Sequence, residues 1–404
     1  MSRIEVIVKA SSLHDARRIA QMKGQLLEGV RTAGELDLVE VSRPSADALA
    51  VILVLTGGVE REALKVVAQL PSPVLLIAHP GHNSLPAAME ILARIRQNGG
   101  DGRILFGSPE RIAGGLQQEH AVASAWEALR FSRLGLIGEP SDWLVASDVD
   151  RAFLRGRLSI ELVEIEVDEL IERVAAASPS RQDIARFTRG ASRIDEPDKE
   201  TIRGAVAIYQ ALRALIDDHR LTACTVRCFD LAKRLRNTGC YALSRLNDER
   251  VPAGCEGDLQ SLLSLYVAFL LSGTAAFMGN ITSVDTEARR IGVAHCTCPL
   301  SMTSHYAIRS HFESDLGVAI AGTLPAGPCT VFRFGGDRLD QLFVREGAIE
   351  RSTVRDDLCR TQIEISVDGS VDDLLRLPLG NHHIVLGGRH RETIERFHER
   401  YLRS

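Results

Sequence analysis

The chain has 404 residues, 45% of them hydrophobic, which is too long for one ordinary core and enough to fill two or three domains of α/β size. Its 48 Lys and Arg are interspersed with 53 Asp and Glu for a net charge of -5, and no basic block or aromatic-laced basic stripe marks a nucleic-acid partner. The longest apolar stretch, near 262 to 278, is broken by Ser264, Ser272, Gly273 and Thr274, and the opening "MSRIEVIVKASS" holds no signal-type apolar region, so the expectation is a cytoplasmic protein with no membrane partner.

In the first 125 or so residues, β-like runs ("RIEVIVKA", "ALAVILVLTGG", "SPVLLIAHP", "GRILFGS") alternate with helical periods such as "VEREALKVVAQL" and "LPAAMEILARIRQNGG". That rhythm predicts a doubly wound, mostly parallel sheet over 1–128. A second cycle opens at "FSRLGLIGEPSDWLVAS", where a β run ends in Gly138, Pro140 and Ser141-Asp142, the chemistry of a strand feeding a helix, and "LSIELVEIEVDELIERVAAA" adds another strand and helix.

Residues 180 to 200, around "PSRQDIARFTRGASRIDEPD", are polar and turn-rich and read as a mobile connector or lid. The helical "KETIRGAVAIYQALRALIDDH", the apolar "LTACTVRCF" and the helix-like "DLQSLLSLYVAFLLSG" complete a second α/β domain, 129–285. From 286 to 404 the texture changes to short alternating segments separated by Gly, Pro and Asp, closed by the charged helix "RETIERFHERYL". The fold class expected is therefore α/β, with two Rossmann-like parallel-sheet domains and a β-rich third.

Chemistry concentrates after residue 220. In "CEGD", Asp258 is placed to cap the following helix and Glu256 to project from a strand end into the crevice above the sheet, although two solvated loop acids would read the same way. His295 follows an alternating strand in "GVAHCTCP", as a core histidine or a ligand. In "GNHHIVLGG", His382 and His383 start an apolar strand and face opposite sides, so one of them can point at a given site.

"HFESDLG", with His311 and Glu313, and "PSDW", with Trp143, could give polar and stacking contacts to a sugar, or be turn and core structure. All eight cysteines lie in the second half without a paired zinc-ribbon spacing, so most are expected to be buried thiols. Cys224 and Cys228 are expected on one face of an extended "CTVRC", and Cys228 joins His383 as a further substrate-contacting candidate. No GxGxxG, Walker or GxSxG pattern occurs, which weakens nucleotide-binding and serine-hydrolase readings.

Taken in order, CEGD, FMGN, AHC and GNHH resemble the metal-dependent L-fucose and L-arabinose isomerase superfamily, most strongly over residues 224 to 383, and "LGLIGEPSDW" looks like that group's second domain. The resemblance implies two Rossmann-like domains with a barrel-like C-terminal domain, and a homo-oligomer. It also implies a divalent metal, Mn2+ first with Mg2+ or Zn2+ behind it, bound by Glu256, Asn280, His295 and His382. Glu256 would carry the proton in an aldose–ketose exchange through an enediol, with Asp258 or a metal-bound hydroxide as the substitute partner.

The chain departs from the pattern in being short and in having an amide at Asn280, which can ligate a cation but cannot exchange a proton at neutral pH. A dication with one carboxylate, one amide and two neutral imidazoles keeps one formal positive charge, which favours an anionic sugar. Epimerisation, dehydration or carbon–carbon cleavage on the same metal, and sugar binding without catalysis, are the alternatives to isomerisation.

Overall fold

In the computed structural model residues 3 to 45 and 48 to 403 are described, and the chain divides into two compact units, one up to Ser124 and one from Ala125. The first unit is a five-stranded parallel sheet of β1 (Arg3–Lys9), β2 (Asp37–Glu40), β3 (Leu49–Val54), β4 (Val74–Ala78) and β5 (Gly102–Phe106) in the order β2-β1-β3-β4-β5. Strand alternation splits these apolar runs between two cores. Val6, Val51, Leu53, Leu75 and Ile77 enter one with Ile112 and Leu116, while Ile7, Ile52, Val54, Leu76 and Ala78 enter the other with Ala87 and Ile91. A strand buried on both faces has no polar side to show, which is why these segments read as unbroken apolar runs.

The second unit contains β6 (Arg133–Ile137), β7 (Glu161–Ile165), β8 (Arg193–Ile194), β9 (Ala223–Val226), β10 (Ala253–Cys255) and β11 (Phe277–Asp285). After them come β12 (Arg290–His295), β13 (His305–Arg309), β14 (Ala319–Thr323), β15 (Gly327–Gly335), β16 (Gln341–Ser352), β17 (Thr361–Val367) and β18 (His382–Gly387). A parallel sheet runs β10-β9-β6-β7, and β11-β12-β17-β16-β15-β18 close into an antiparallel barrel, with β14-β13-β8 as a small third sheet. Two parallel-sheet regions and a C-terminal barrel are the architecture expected from the sequence. The barrel's first strand starts at Phe277, so Asn280 is a barrel residue.

The helix Leu259–Ser272, buried from Leu259 to Ala268, packs against β9 and β10 and also against the barrel strands β15 and β18. A helix sandwiched in this way has to be apolar nearly all round, which accounts for the long apolar run. Among the described residues no helix is long and apolar enough to cross a membrane.

Two local expectations are corrected. The 180–200 segment is not a loose connector: Arg181–Thr188 is helical behind a Ser180–Asp183 capping box, and β8 pairs with β13. Phe187 is the reason, because it is buried, stacks on Tyr241 at 3.7 Å and accepts a hydrogen bond on its carbonyl from the Tyr306 hydroxyl at 2.8 Å. Cys228 does not share a strand face with Cys224, since it opens the helix Cys228–Leu235 while Cys224 lies in β9.

Candidate active site and metal centre

Three parallel strands deliver side chains to one cavity from their C-terminal ends, where open α/β sheets place their ligands. β6 leads through Gly138 and Pro140 to Trp143, β9 leads to Cys228 and Phe229, and β10 ends in Cys255 and leads to Glu256. The cavity is about 420 Å³ in volume.

The turn after β10 is unusual. Glu256 and Gly257 both sit in the left-handed region, at φ 66° and 73°. Residue 257 must be glycine twice over, for that backbone and because a Cβ there would stand 2.7 Å from the Glu139 carbonyl oxygen and the Pro140 Cα. For Glu256 the conformation carries strain, held in place by its carbonyl accepting the Ser141 N–H at 2.9 Å. The result is a buried carboxylate in the cavity wall, with Oε2 accepting the indole N–H of Trp143 at 2.6 Å.

The barrel supplies the opposite wall. Asn280 on β11 pairs directly with Ala294 on β12 and with His382 on β18, so register brings the FMGN, AHC and GNHH segments together. The His295 and His382 rings meet edge to face at 5.3 Å, and His295 Nδ1 bonds Thr297 Oγ1 at 2.9 Å. His382 Nδ1 lies 2.9 Å from Asp258 Oδ2, and since an ionised carboxylate only accepts, Nδ1 carries the proton. Its Nε2 is buried without a hydrogen-bond partner, 3.6 Å from Glu256 Oε1.

Asp258 is completely buried and caps the helix Leu259–Ser272, accepting from the Ser261 N–H at 2.7 Å and its hydroxyl at 2.8 Å. Beneath it lies Arg333, also completely buried, whose Nη1 donates to Ser261 Oγ at 2.8 Å, to the His382 carbonyl at 2.7 Å and to Asp258 Oδ2 at 3.3 Å. Its Nη2 donates to Ser147 Oγ at 2.9 Å and Gln260 Oε1 at 2.8 Å, and its Nε to the Leu379 carbonyl at 3.1 Å. One guanidinium thus ties β15 to the CEGD turn and to the segment entering β18.

Charge follows the packing. Burial opposes ionisation of Asp258, but the Arg333 charge and the His382 hydrogen bond prevail and hold its carboxyl at about 2. Burial likewise opposes a charge on His382, and the flanking Asp258 and Glu256 overcome it, raising the imidazole to about 9. Glu256 is lowered against its own burial chiefly by His382, with His295 and Trp143 adding to the effect. His295 is pushed down to about 4 by burial and by the neighbouring His382 charge, so it is a neutral imidazole free to ligate.

Of the residues singled out in the sequence, Trp143, Cys228, Glu256, Asn280, His295, His311 and Glu313 line the cavity. Phe229 links two of them, with Trp143 edge-on at 4.9 Å and His311 edge-on at 5.6 Å, forming a mixed aromatic and polar wall. Three candidates are outside its lining. His382 stands behind Glu256, its Nε2 3.6 Å from that carboxylate. Asp258 is locked behind Glu256 and His382, and His383 turns the other way, against Phe343 and into a separate cavity with Ile281 and Leu374.

Sequence reasoning missed Arg333, Phe229 and Cys255. An arginine between phenylalanines in "CTVFRFGG" was the available signal for Arg333. As expected of packing thiols, seven of the eight cysteines are buried, and all eight are free.

Among the described residues, Cys255, Glu256 and His295 form the trio whose potential ligand atoms all lie within 4.8 Å of one another. The orphaned Nε2 of His382 reaches toward the same carboxylate, with its other nitrogen oriented by Asp258, the arrangement that metal-binding histidines use. These donors fit a divalent cation.

In sequence the chain is similar to sugar isomerases. It is 24% identical to sulfoquinovose isomerase of Alkalicoccus urumqiensis over 265 residues, 63% of this chain and 59% of that protein. It is 26% identical to sulfoquinovose isomerase of Clostridium sp. (strain MSTE9) over 268 residues, again 63% and 59%, and 22% identical to that of Priestia aryabhattai over 285 residues, 67% and 63%. The chain thus spans about three fifths of the length of the curated relatives it matches. No family model matches it. These relatives carry the expected resemblance at the level of a sugar isomerase and do not single out the fucose or arabinose branch.

Proposed function

We propose that the chain is a metal-dependent isomerase that interconverts the aldose and ketose forms of an anionic sugar, with a sugar sulfonate such as sulfoquinovose as the leading candidate. The observation that carries this reading is the buried, unpartnered Nε2 of His382, held by Asp258 and directed at Glu256 in the wall of a sugar-sized cavity. A polar atom buried without a partner is costly, and a ligand that completes it removes the cost. The similarity to sulfoquinovose isomerases supports the same class of reaction.

In this reading Glu256, His295 and His382 would hold the cation, with the Asn280 side-chain oxygen as a neutral donor. Such a cation, with Mn2+ as the first choice, would supply Lewis-acid polarisation of the sugar carbonyl. Trp143 fixes the rotamer of Glu256, which carries the proton between the two carbons. Asp258 orients His382 and touches no substrate. Phe229, Trp143 and His311 present a wall against which an apolar sugar face can lie, while Cys228 and Glu313 flank it. Lys233 and Glu313 both line the cavity, so selectivity for an anion rests on the residual positive charge of the metal centre.

The reading carries with it a cytoplasmic homo-oligomer. The amide at 280 keeps epimerisation, dehydration and cleavage in view, because Asn280 cannot return a proton. The test is proton NMR of the metal-loaded protein with sulfoquinovose and its unsulfonated counterpart in D2O. Metal-dependent conversion of the sulfonate to a ketose with deuterium beside the carbonyl, abolished by Glu256→Gln, is expected. A different product moves the protein to one of the related reactions, and equal turnover of both sugars removes the preference for an anion.

A further inference from the structure

We propose that Cys255 is a further protein ligand to the cation beside Glu256, His295 and His382, giving the centre a thiolate and, in place of the Mn2+ taken as first choice above, a preference for a borderline-soft dication such as Zn2+ or Co2+. This rests on the metal site proposed above and concerns its composition. The geometry begins with the turn after β10. Consecutive residues of a strand point to opposite sides, so Cys255 and Glu256 would ordinarily be unable to serve one site. The left-handed backbone at Glu256, φ 66°, breaks that alternation. Both side chains then line the same cavity, and the sulfur, a carboxylate oxygen and a nitrogen of His295 come within 4.8 Å of one another.

Ligand atoms around a tetrahedral zinc, about 2.0 Å away for nitrogen and about 2.3 Å for sulfur, stand roughly 3.3 to 3.8 Å apart. The trio therefore needs only a modest inward movement of side chains. All three residues are buried and line the cavity, the sulfur would give up its proton to solvent as the cation enters, and His382 Nε2, 3.6 Å from Glu256 Oε1, would be the fourth protein donor. A sulfur donor shifts selectivity toward zinc-like ions, since Mn2+ and Mg2+ favour oxygen. A thiolate beside Glu256 also brings the centre to formal neutrality, so that with Cys255 bound an anion preference would rest on Lys233 in the cavity lining rather than on the metal charge. In the metal-free protein the Cys255 sulfur packs beside Cys228.

The full-length protein is stripped of metal and titrated with CoCl2, which reports a bound thiolate by an intense near-ultraviolet charge-transfer band and a four-coordinate geometry by visible bands. The wild type is expected to show both. Cys255→Ser is expected to lose the near-ultraviolet band and to bind Zn2+ about tenfold or more weakly, with Mn2+ affinity changed by less than about twofold. Cys240→Ser, which removes another cavity thiol, is expected to keep the band and controls for repacking. Cobalt bound in the wild type without the charge-transfer band overturns the thiolate while leaving the metal site standing, as does a band that survives Cys255→Ser. Failure of every dication to bind the wild type overturns both.

Discussion

Glu256 is held from two sides, by the Trp143 indole at one oxygen and by the His382 imidazole near the other, and the chemistry proposed for it depends on both. Trp143→Phe keeps an aromatic ring against Phe229 but deletes a hydrogen bond to a buried carboxylate, an interaction worth about 1.5–3 kcal/mol. Turnover is expected to fall roughly ten- to hundredfold with metal content unchanged, as checked by steady-state kinetics beside elemental analysis. His382 gives a pH signature. In the metal-free protein its pKa is raised to about 9, so the protonated ring stabilises the fold fully below about 6.5 and that contribution is lost as pH rises through 9, at most about 3 kcal/mol. Thermal melts of metal-free wild type should lose stability between these pH values relative to His382→Gln. A bound dication takes the place of the Nε2 proton, so metal affinity should strengthen with pH over the same interval, measurable by calorimetric titration.

At the scale of elements, the CEGD turn, the strand β15 and the entry to β18 are clamped by Arg333. Arg333→Met leaves Asp258 buried beside an uncompensated set of donors and acceptors and is expected to destabilise the protein by about 3–5 kcal/mol in urea melts. Adding Asp258→Asn should recover part of that loss, because the two residues share one network and their effects do not add. The clamp was hard to read in advance. A lone arginine in an alternating β segment resembles a solvent-facing residue, and only barrel closure puts the same position under the helix Leu259–Ser272. The 180–200 segment escaped for the converse reason, since one aromatic, Phe187, docks an otherwise polar stretch. The parallel strands were legible because burial on both faces leaves an unbroken apolar signature; Glu256 was half legible, because an acid between a strand end and a capped helix has the crevice within reach but a solvated loop acid gives the same pattern.

For the whole molecule, every cavity-lining residue falls in the unit that starts at Ala125, where barrel and parallel sheet meet. Strand register explains why residues 280, 295 and 382 come together: β11 lies between β12 and β18, so they converge although over a hundred residues separate the first from the last. Short motifs show residue types in order, but only the register decides that His382 faces Glu256 while His383 packs against Phe343. The central claim is that this convergence is a metal centre. It is tested most directly by titrating the metal-free protein with Mn2+ and Zn2+ in a calorimeter, beside Glu256→Gln and His382→Gln. One cation per chain in the wild type, with binding lost or weakened at least about a hundredfold in both variants, is the predicted result. Absence of binding, or binding that both variants retain at wild-type affinity, would contradict it.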